Sequence, residues 1–438
     1  MDVKQWLKHK DLSYRDGVLY YGETNLQEVV QDFKMPLYVV NEDLLRQRYQ
    51  ALHGALENHY NSFRIHYAVK ANSNLTVLKI LAQEGAYFDV VSEGEVFLCL
   101  EAGIPADHIL FTGNNWSDSG MRFALEKGVM LNLDAISHIK RLAAICEAEG
   151  YEKPVLSFRV NPSFGGGHHD HCITAGKDIK FGIFEPQVLE AYQIALDHGF
   201  SKFGIHMHIG SGILEKGPFV KAMTKYFEII EAVRNELNIN FEFIDFGGGL
   251  GIPYRKEDSP LPLDEYASTL MTMFKEKIKA LGLGTPIFAI EPGRYLTAEA
   301  GLLLTQVNTY KDTGFKVFVG VDGGFTALIR PAFYGSHHEI IPVVQDPERP
   351  EIVADIVGQI CESGDVLGKM RTLPKPEEKE YLAILDAGAY GFAMASNYNS
   401  HPKPAEILIS RKNPPVVIRE REVFEDLLRN QSIPDRLQ

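Results

Sequence analysis

The sequence predicts an α/β protein: a closed (β/α)8 barrel of the TIM type, with a second, mostly β domain built from both chain ends. Three observations carry that expectation. Eight short β-rich runs alternate with helical patterns between residues 63 and 294. Beyond Arg294, strand-like runs follow one another without regular helices between them. Near the N-terminus, LSYRDGVLYYGE (12–23) reads as a hairpin turning at Asp16-Gly17, a dipeptide that suits a two-residue turn.

The elements follow in order. Leu45, Tyr49, Leu52, Leu56 and Tyr60 recur at spacings of three and four, which predicts a helix with Asn41 as its cap. The β-rich runs are FRIHYAVK (63–70), AYFDVVS (86–92), HILFTG (108–113), VMLNLD (129–134), VLSFRVN (155–161), FGIHMHIG (203–210), FEFIDFGGG (241–249) and IFAIEPGR (287–294). After the second, Ser92 and Glu95 form an S-x-x-E capping box ahead of a helix. Alternating β and α units imply a parallel sheet, and eight of them suffice to close a barrel. An open doubly wound sheet is the alternative at this level. KVFVGVD (316–322), EIVADIVG (351–358), YLAILDAG (381–388), AEILIS (405–410) and PVVIRE (415–420) supply the second domain. The expected division is 36–294 for the barrel, with 1–35 and 295–438 forming the β-rich domain.

Bulk properties narrow the function. The chain has 438 residues, 45% apolar and 23% charged, enough for a sizeable core and more than one ordinary domain. Its formal net charge of −14 and the lack of basic clusters argue against nucleic-acid or anionic-membrane partners. Cys99, Cys146, Cys172 and Cys361 form no CxxC pair, so neither a disulfide framework nor a structural zinc pattern is expected. No signal core or membrane-length apolar run appears, and a soluble cytoplasmic protein is the expectation.

Barrel active sites lie at the C-terminal ends of the strands. There the sequence places Lys70, His206 and His208, the glycines Gly247, Gly248 and Gly249, and Glu291 with Gly293 and Arg294. By alternation, Arg64, His66, Ala68 and Lys70 share one face of the first run, and Gly204, His206 and His208 share one face of the sixth. A lysine facing a barrel interior is either the partner of a buried carboxylate or a Schiff-base lysine. The triple glycine is followed by Pro253 rather than a helix, so it is a poor dinucleotide fingerprint. With Gly293 and Arg294 it fits the phosphate site that loops after the seventh and eighth strands form. Lysine, phosphate cradle and Glu291 together suggest pyridoxal 5′-phosphate, with Glu291 keeping the pyridine nitrogen protonated.

HYAVKAN (66–72), GIHMHIGSG (204–212), DFGGGLGIPY (245–254), EPGR (291–294), CESGD (361–365) and DAGAYG (386–391) resemble the motif set of the diaminopimelate decarboxylase family. IRPAFYG (329–335) and SNYNSHP (396–402) make the likeness more specific, and it runs from about Lys70 to Pro402. The resemblance implies the alanine-racemase-like fold of pyridoxal-phosphate enzymes. It also implies decarboxylation of meso-diaminopimelate to L-lysine. Lys70 then carries the cofactor and His208 stacks on it. Glu291 faces the pyridine nitrogen. Ser211, Gly249, the backbone around Gly293, and Tyr390 hold the phosphate. Arg294, Arg330, Tyr334, Glu362 and Tyr390 bind the substrate, and Cys361 donates the proton. CESGD would reach the neighbouring subunit's site, implying a homodimer with shared sites. Two positions depart from the family pattern: Glu93, where relatives commonly have glycine, and Ile179, where they have a small polar residue.

Alternatives within the class are decarboxylases of ornithine, arginine or carboxynorspermidine. Arg330 with Glu362 disfavours the first two, whose substrates carry no distal carboxylate. IRPAFYG disfavours the third. A non-catalytic regulator of the same fold would have lost Lys70 or the glycines. FGGGHHDHC (164–172) has the residue types of a metal site, but adjacent His168 and His169 turn poorly to one ion and no distant ligand cluster is evident. No metal is expected there. A mobile lid over the substrate or a plain surface loop fits the stretch equally.

Overall fold

A computed structural model describes residues 3–162 and 179–438. Two compact units emerge: Met1–Leu44 with Tyr254–Asp258 and Thr297–Gln438, and Leu45–Pro253 with Ser259–Leu296.

The second unit is the barrel. Its strands are Phe63–Ala68, Tyr87–Val90, Ile109–Thr112, Met130–Leu133, Leu156–Asn161, Phe203–Met207, Phe241–Asp245 and Ile287–Ile290. Every neighbouring pair is parallel, and the eighth strand returns to the first with Phe288 opposite Phe63, so the sheet closes. A two-residue strand, Ile183–Phe184, pairs parallel to the end of the fifth at Val160 and Asn161, an addition to the expected eight. Helices alternate with the strands. Asn41 caps the first predicted helix, its side chain accepting the Leu44 N–H at 3.1 Å. Ser92 accepts the Glu95 N–H at 3.2 Å, but Glu95 reaches past Ser92 to the Val91 N–H at 2.8 Å, so the capping box closes one residue further out.

The apolar face of each strand packs on the helices. Phe246, Phe274 and Phe288 form one aromatic cluster, with Phe246 and Phe288 stacked at 4.9 Å. Inside the barrel, Gly204 leaves room for the Phe243 ring, which any Cβ there would overlap.

The first unit is mostly β. The expected hairpin forms from Leu12–Arg15 and Val18–Tyr21, with Asp16 and Gly17 both at positive φ. A larger sheet runs in the order Val366–Pro374, Glu351–Val357, Val317–Val321, Gly301–Asp312, Leu37–Asn41, Ala405–Ile409, Val416–Arg419. All five late strand-like runs of the sequence lie in this unit as strands. The strand Leu37–Asn41, inside the segment expected for the barrel, pairs here with Gly301–Asp312 and Ala405–Ile409. Its core includes Tyr38, Leu303, Val319, Ile356 and Ile384. Among the described residues, no helix is long and apolar enough to cross a membrane.

Candidate active site

The barrel places its polar groups where the strands end. The first strand stops at Ala68, and Lys70 stands in the single 3-10 turn Val69–Ala71 beyond it, not on the strand itself as the alternation suggested. Ala68 is opposite Asp89 on the second strand, and Lys70 Nζ lies 2.9 Å from Asp89 Oδ2. The lysine side chain is 39% exposed and the aspartate fully buried, so the amine faces open space from an anchored base. Burial pushes the Asp89 carboxyl up, as does nearby Glu291, while Lys70 pulls it down.

His206 and Glu291 meet across the barrel interior, Nε2 to Oε2 at 3.0 Å, both buried. Burial presses the Glu291 carboxyl up. The His206 contact, with Lys70 and His208 nearby, outweighs it and holds the group well below the usual carboxylate range. Glu291 is therefore an anion that can only accept, which assigns the Nε2 hydrogen to His206. Its second oxygen, Oε1, is buried and finds no hydrogen-bond partner among the described residues. A buried charged acceptor left open is costly unless something else pairs it. Asp89 Oδ1 and Arg159 Nη2 are open in the same way.

His208 follows the sixth strand. Its Nδ1 accepts the Gly248 N–H at 2.9 Å, which fixes the ring, and burial pushes its pKa well down, so the ring is neutral. Gly247 donates its N–H to Asp245 Oδ1 at 2.8 Å. These two bonds revise the phosphate expectation. The N–H groups of Gly247 and Gly248 are committed within the protein, leaving Gly249 as the glycine of the three whose N–H neither Asp245 nor His208 takes. Gly247, at φ +66°, must be glycine for another reason: a Cβ there would overlap the Met207 carbonyl. Ser211 Oγ lies 3.2 Å from both Nε and Nη2 of buried Arg294, so these two are joined as expected.

The first unit builds a second cluster. Arg330 is 2% exposed. Its Nη2 lies 3.2 Å from Ser336 Oγ and 3.4 Å from Tyr254 Oη, and its Nε 3.3 Å from His338 Nε2. His338 Nδ1 is 2.8 Å from the Leu385 carbonyl and donates to it, which leaves Nε2 as the acceptor for the guanidinium. The rings of Tyr254, Tyr334 and Tyr390 surround Arg330 at 5.7–5.9 Å. Arg330, Tyr334 and Tyr390 are thus brought together, and Tyr254, Ser336 and His338 join them unforeseen.

Cys361 and Glu362 stand exposed on their loop. Asp365, 3% exposed, braces it by accepting the Phe325 N–H at 2.6 Å and the Ile360 N–H at 3.0 Å. Cys361 N–H donates to Asn399 Oδ1 at 3.1 Å, linking CESGD to SNYNSHP. The stretch 164–172, with Cys172, lies outside the described residues.

The residues the motifs missed in the barrel are Asp89, Arg159, His206 as a partner of Glu291, and Asp245. Alternation already placed His206 inward, and Asp89 sits in AYFDVVS one residue from the strand end. Either could have been weighed as a site residue. The donor set suits pyridoxal 5′-phosphate. An amine stands on a buried base, a neutral ring is locked in place, and an open buried carboxylate oxygen awaits a cationic N–H.

The comparisons with known proteins agree. Residues 43–298 match the family of pyridoxal-dependent decarboxylases, over its pyridoxal binding domain. Diaminopimelate decarboxylase of Methanothermobacter thermautotrophicus is 46% identical over 428 residues, covering 98% of this chain and 99% of that one. The Archaeoglobus fulgidus enzyme of the same name is 39% identical, covering 97% and 99%. The solved diaminopimelate decarboxylase of M. jannaschii in complex with L-lysine superposes with a TM-score of 0.90 at 32% identity, covering 98% and 99%. The barrel with its separate β unit, and relatives matched over nearly their whole length, place this chain among the pyridoxal-dependent decarboxylases, in the diaminopimelate decarboxylase family.

Proposed function

We propose that this chain decarboxylates meso-2,6-diaminopimelate at its D-centre, giving carbon dioxide and L-lysine with pyridoxal 5′-phosphate as cofactor. The observation that carries the reading is Glu291: a buried carboxylate, bonded by His206 on one oxygen and open on the other. When bound, the cofactor supplies the electron sink for the pair that carbon dioxide leaves behind. Lys70 Nζ is the amine that attaches it, with Asp89 holding that amine in place. Glu291 would hold the pyridine N–H, and His208 would be the stacking partner. Gly249, the backbone at Gly293, Ser211, Arg294 and Tyr390 serve the phosphate, with Gly247 and Gly248 shaping the loop rather than donating to it.

Diaminopimelate carries a second amino-acid group, and its recognition is a matter of charge. A guanidinium forks onto both oxygens of a carboxylate, which suits Arg330 and Arg294 to the distal carboxylate. His338, Ser336 and Tyr254 steer the Arg330 fork into one orientation. Tyr334 and Tyr390 flank it, and Glu362 suits the distal ammonium. Cys361 gives the proton to the α-carbon. Its exposed, braced loop fits a homodimer in which each chain lends Cys361 and Glu362 to its partner. A cytoplasmic location fits the free thiols of Cys99, Cys146 and Cys361.

The test is direct. Purified protein with pyridoxal phosphate and meso-diaminopimelate should yield L-lysine and carbon dioxide in equal amounts. Ornithine and lysine, which lack the distal carboxylate, should be rejected by about 10⁴-fold in kcat/KM, because they bring no anion to the buried guanidinium groups. Turnover of ornithine without lysine formation would overturn the assignment in favour of another basic amino-acid decarboxylase.

A further inference from the structure

Beneath Glu291 the barrel holds a further carboxyl that no motif role uses. Asp245 ends the seventh strand, directly opposite His206 in the sheet register, and is fully buried. Its Oδ1 accepts the Gly247 N–H at 2.8 Å. Its Oδ2 has no hydrogen-bond partner among the described residues and lies 4.0 Å from His66 Nδ1. One carboxylate oxygen of Asp245, one of Glu291 and a ring nitrogen of His206 all lie within 4.8 Å of one another.

That spacing forces a choice. Two carboxylates so close, cut off from water, cannot both ionise without strong compensation. Among the described residues, the cations that bear on these carboxylates are Lys70 and Arg159, while Arg64 acts on His66. Lys70 is engaged by Asp89. Arg159 is near enough to feel Glu291, Asp89 and Asp134. Three ionised carboxylates, Asp89, Asp245 and Glu291, would exceed these two cations, so one proton belongs on the Asp245–Glu291 pair.

The partners decide which carboxyl takes it. Glu291 receives a hydrogen from His206 and feels the Lys70 ammonium. Asp245 receives only a backbone N–H, and its open oxygen faces His66, an imidazole that burial pushes down to about 3 and so keeps neutral. Both His66 nitrogens and His206 Nδ1 are likewise without hydrogen-bond partners among the described residues. We propose that Asp245 is carried as a neutral carboxylic acid among His66 and His206, leaving Glu291 as the only anion of the pair and so able to hold the pyridine nitrogen protonated. Asp245 is then a positioning residue that acts through charge, by being absent as one. Were it ionised, Glu291 would take up the proton and lose its hold on the pyridinium. Burial and the nearby Glu291 raise the Asp245 pKa well above the ordinary aspartate value, in keeping with this assignment. The proposal rests on Glu291 facing the pyridine nitrogen.

Infrared spectroscopy of the cofactor-free protein at neutral pH tests the proton itself. The wild-type minus Asp245→Asn difference spectrum, in which other protonated carboxyls such as Glu95 cancel, should show a carboxylic-acid carbonyl band that shifts in heavy water. A band that survives in Asp245→Asn and vanishes in Glu291→Gln would overturn the proposal, because the proton would then sit on Glu291. Should Asp245→Asn fail to fold, neutron diffraction of the wild type reads the same site. Deuterium on Asp245 supports the assignment, and deuterium on Glu291 overturns it. The loaded enzyme adds a second signature, since Asp245→Asn should leave the visible absorbance maximum of the bound cofactor unshifted. Glu291→Gln examines the underlying reading separately: it should shift that maximum, and an unshifted spectrum would sink the pyridine assignment without touching the infrared result.

Discussion

Two clusters of buried charge in this chain are finished differently. In the β unit, Lys10 is 1% exposed, with Nζ 2.8 Å from Asp386 and 3.0 Å from Glu299. Tyr21 donates to the Glu299 carbonyl at 2.6 Å, His9 approaches the Glu299 carboxylate at 3.4 Å, and the Trp6 ring lies 4.7 Å from the ammonium. Neither carboxylate of that cluster is left without a partner. In the barrel, Asp89, Asp245, Glu291, His206 and Arg159 each keep a buried polar atom that no group among the described residues satisfies. A closed ion cluster contributes to one folded state. An open one keeps room for charges that arrive with a ligand.

Breaking each cluster should produce a different kind of damage. Lys70→Ala should reduce lysine formation by about 10⁴-fold or more, as removal of a covalent catalytic group does, and abolish the visible absorbance of gel-filtered protein. Retained absorbance would remove Lys70 from the cofactor. Lys10→Met strands two buried carboxylates and should cost about 3–5 kcal/mol of stability in denaturant titration, with the cofactor absorbance of the folded fraction unchanged. Loss of absorbance at full stability would mean that the closed cluster is functional after all. Glu291→Gln should lower kcat by about 10²–10³-fold, in line with removing one preorganised electrostatic contact, and shift the melting point of the apo-protein little.

The smallest effect sharpens the rim of the open cluster. Burial raises the Glu95 pKa to about 7, while the Val91 N–H and Lys70 oppose the shift. The folded form thus holds this proton more tightly than the unfolded chain, whose value is near 4.5. Stability from this group is greatest below about pH 4.5 and falls as pH rises to about 7, with the penalty complete above that. Because Glu95 is partly exposed, the fall should be only about 1–2 kcal/mol, and Glu95→Gln should lack it in apo-protein melts across that range. An identical pH profile in the variant would assign the slope elsewhere.

The sequence made the barrel legible because strand alternation and helix periodicity both repeat eight times. The same alternation put His206 and His208 on one face. It failed by one turn at Lys70, because a 3-10 step after Ala68 takes the chain off the strand. The 12-residue strand Gly301–Asp312 was missed because GLLLTQVNTYKD opens with a leucine run that fits helix as well as strand. The strand Val366–Pro374 was missed because Gly368, Lys369, Met370 and Arg371 break its apolar pattern, and Met370 stands at positive φ. His338 gave no local signal, since its partners lie 8 and 47 positions away in the chain. The same holds for the open oxygens of Glu291 and Asp245. Whether an atom is left unpaired depends on everything around it, and no run of letters records that.

The Asp365 brace has a kinetic consequence. A loop held by two backbone N–H groups, its own Ile360 and the distant Phe325, would reach any partner already folded. Little conformational freedom is then left to lose on contact, so encounters there should be limited by collision and orientation rather than by a folding step. For an exposed thiol and carboxylate on such a loop, arrival in working geometry is set before association begins.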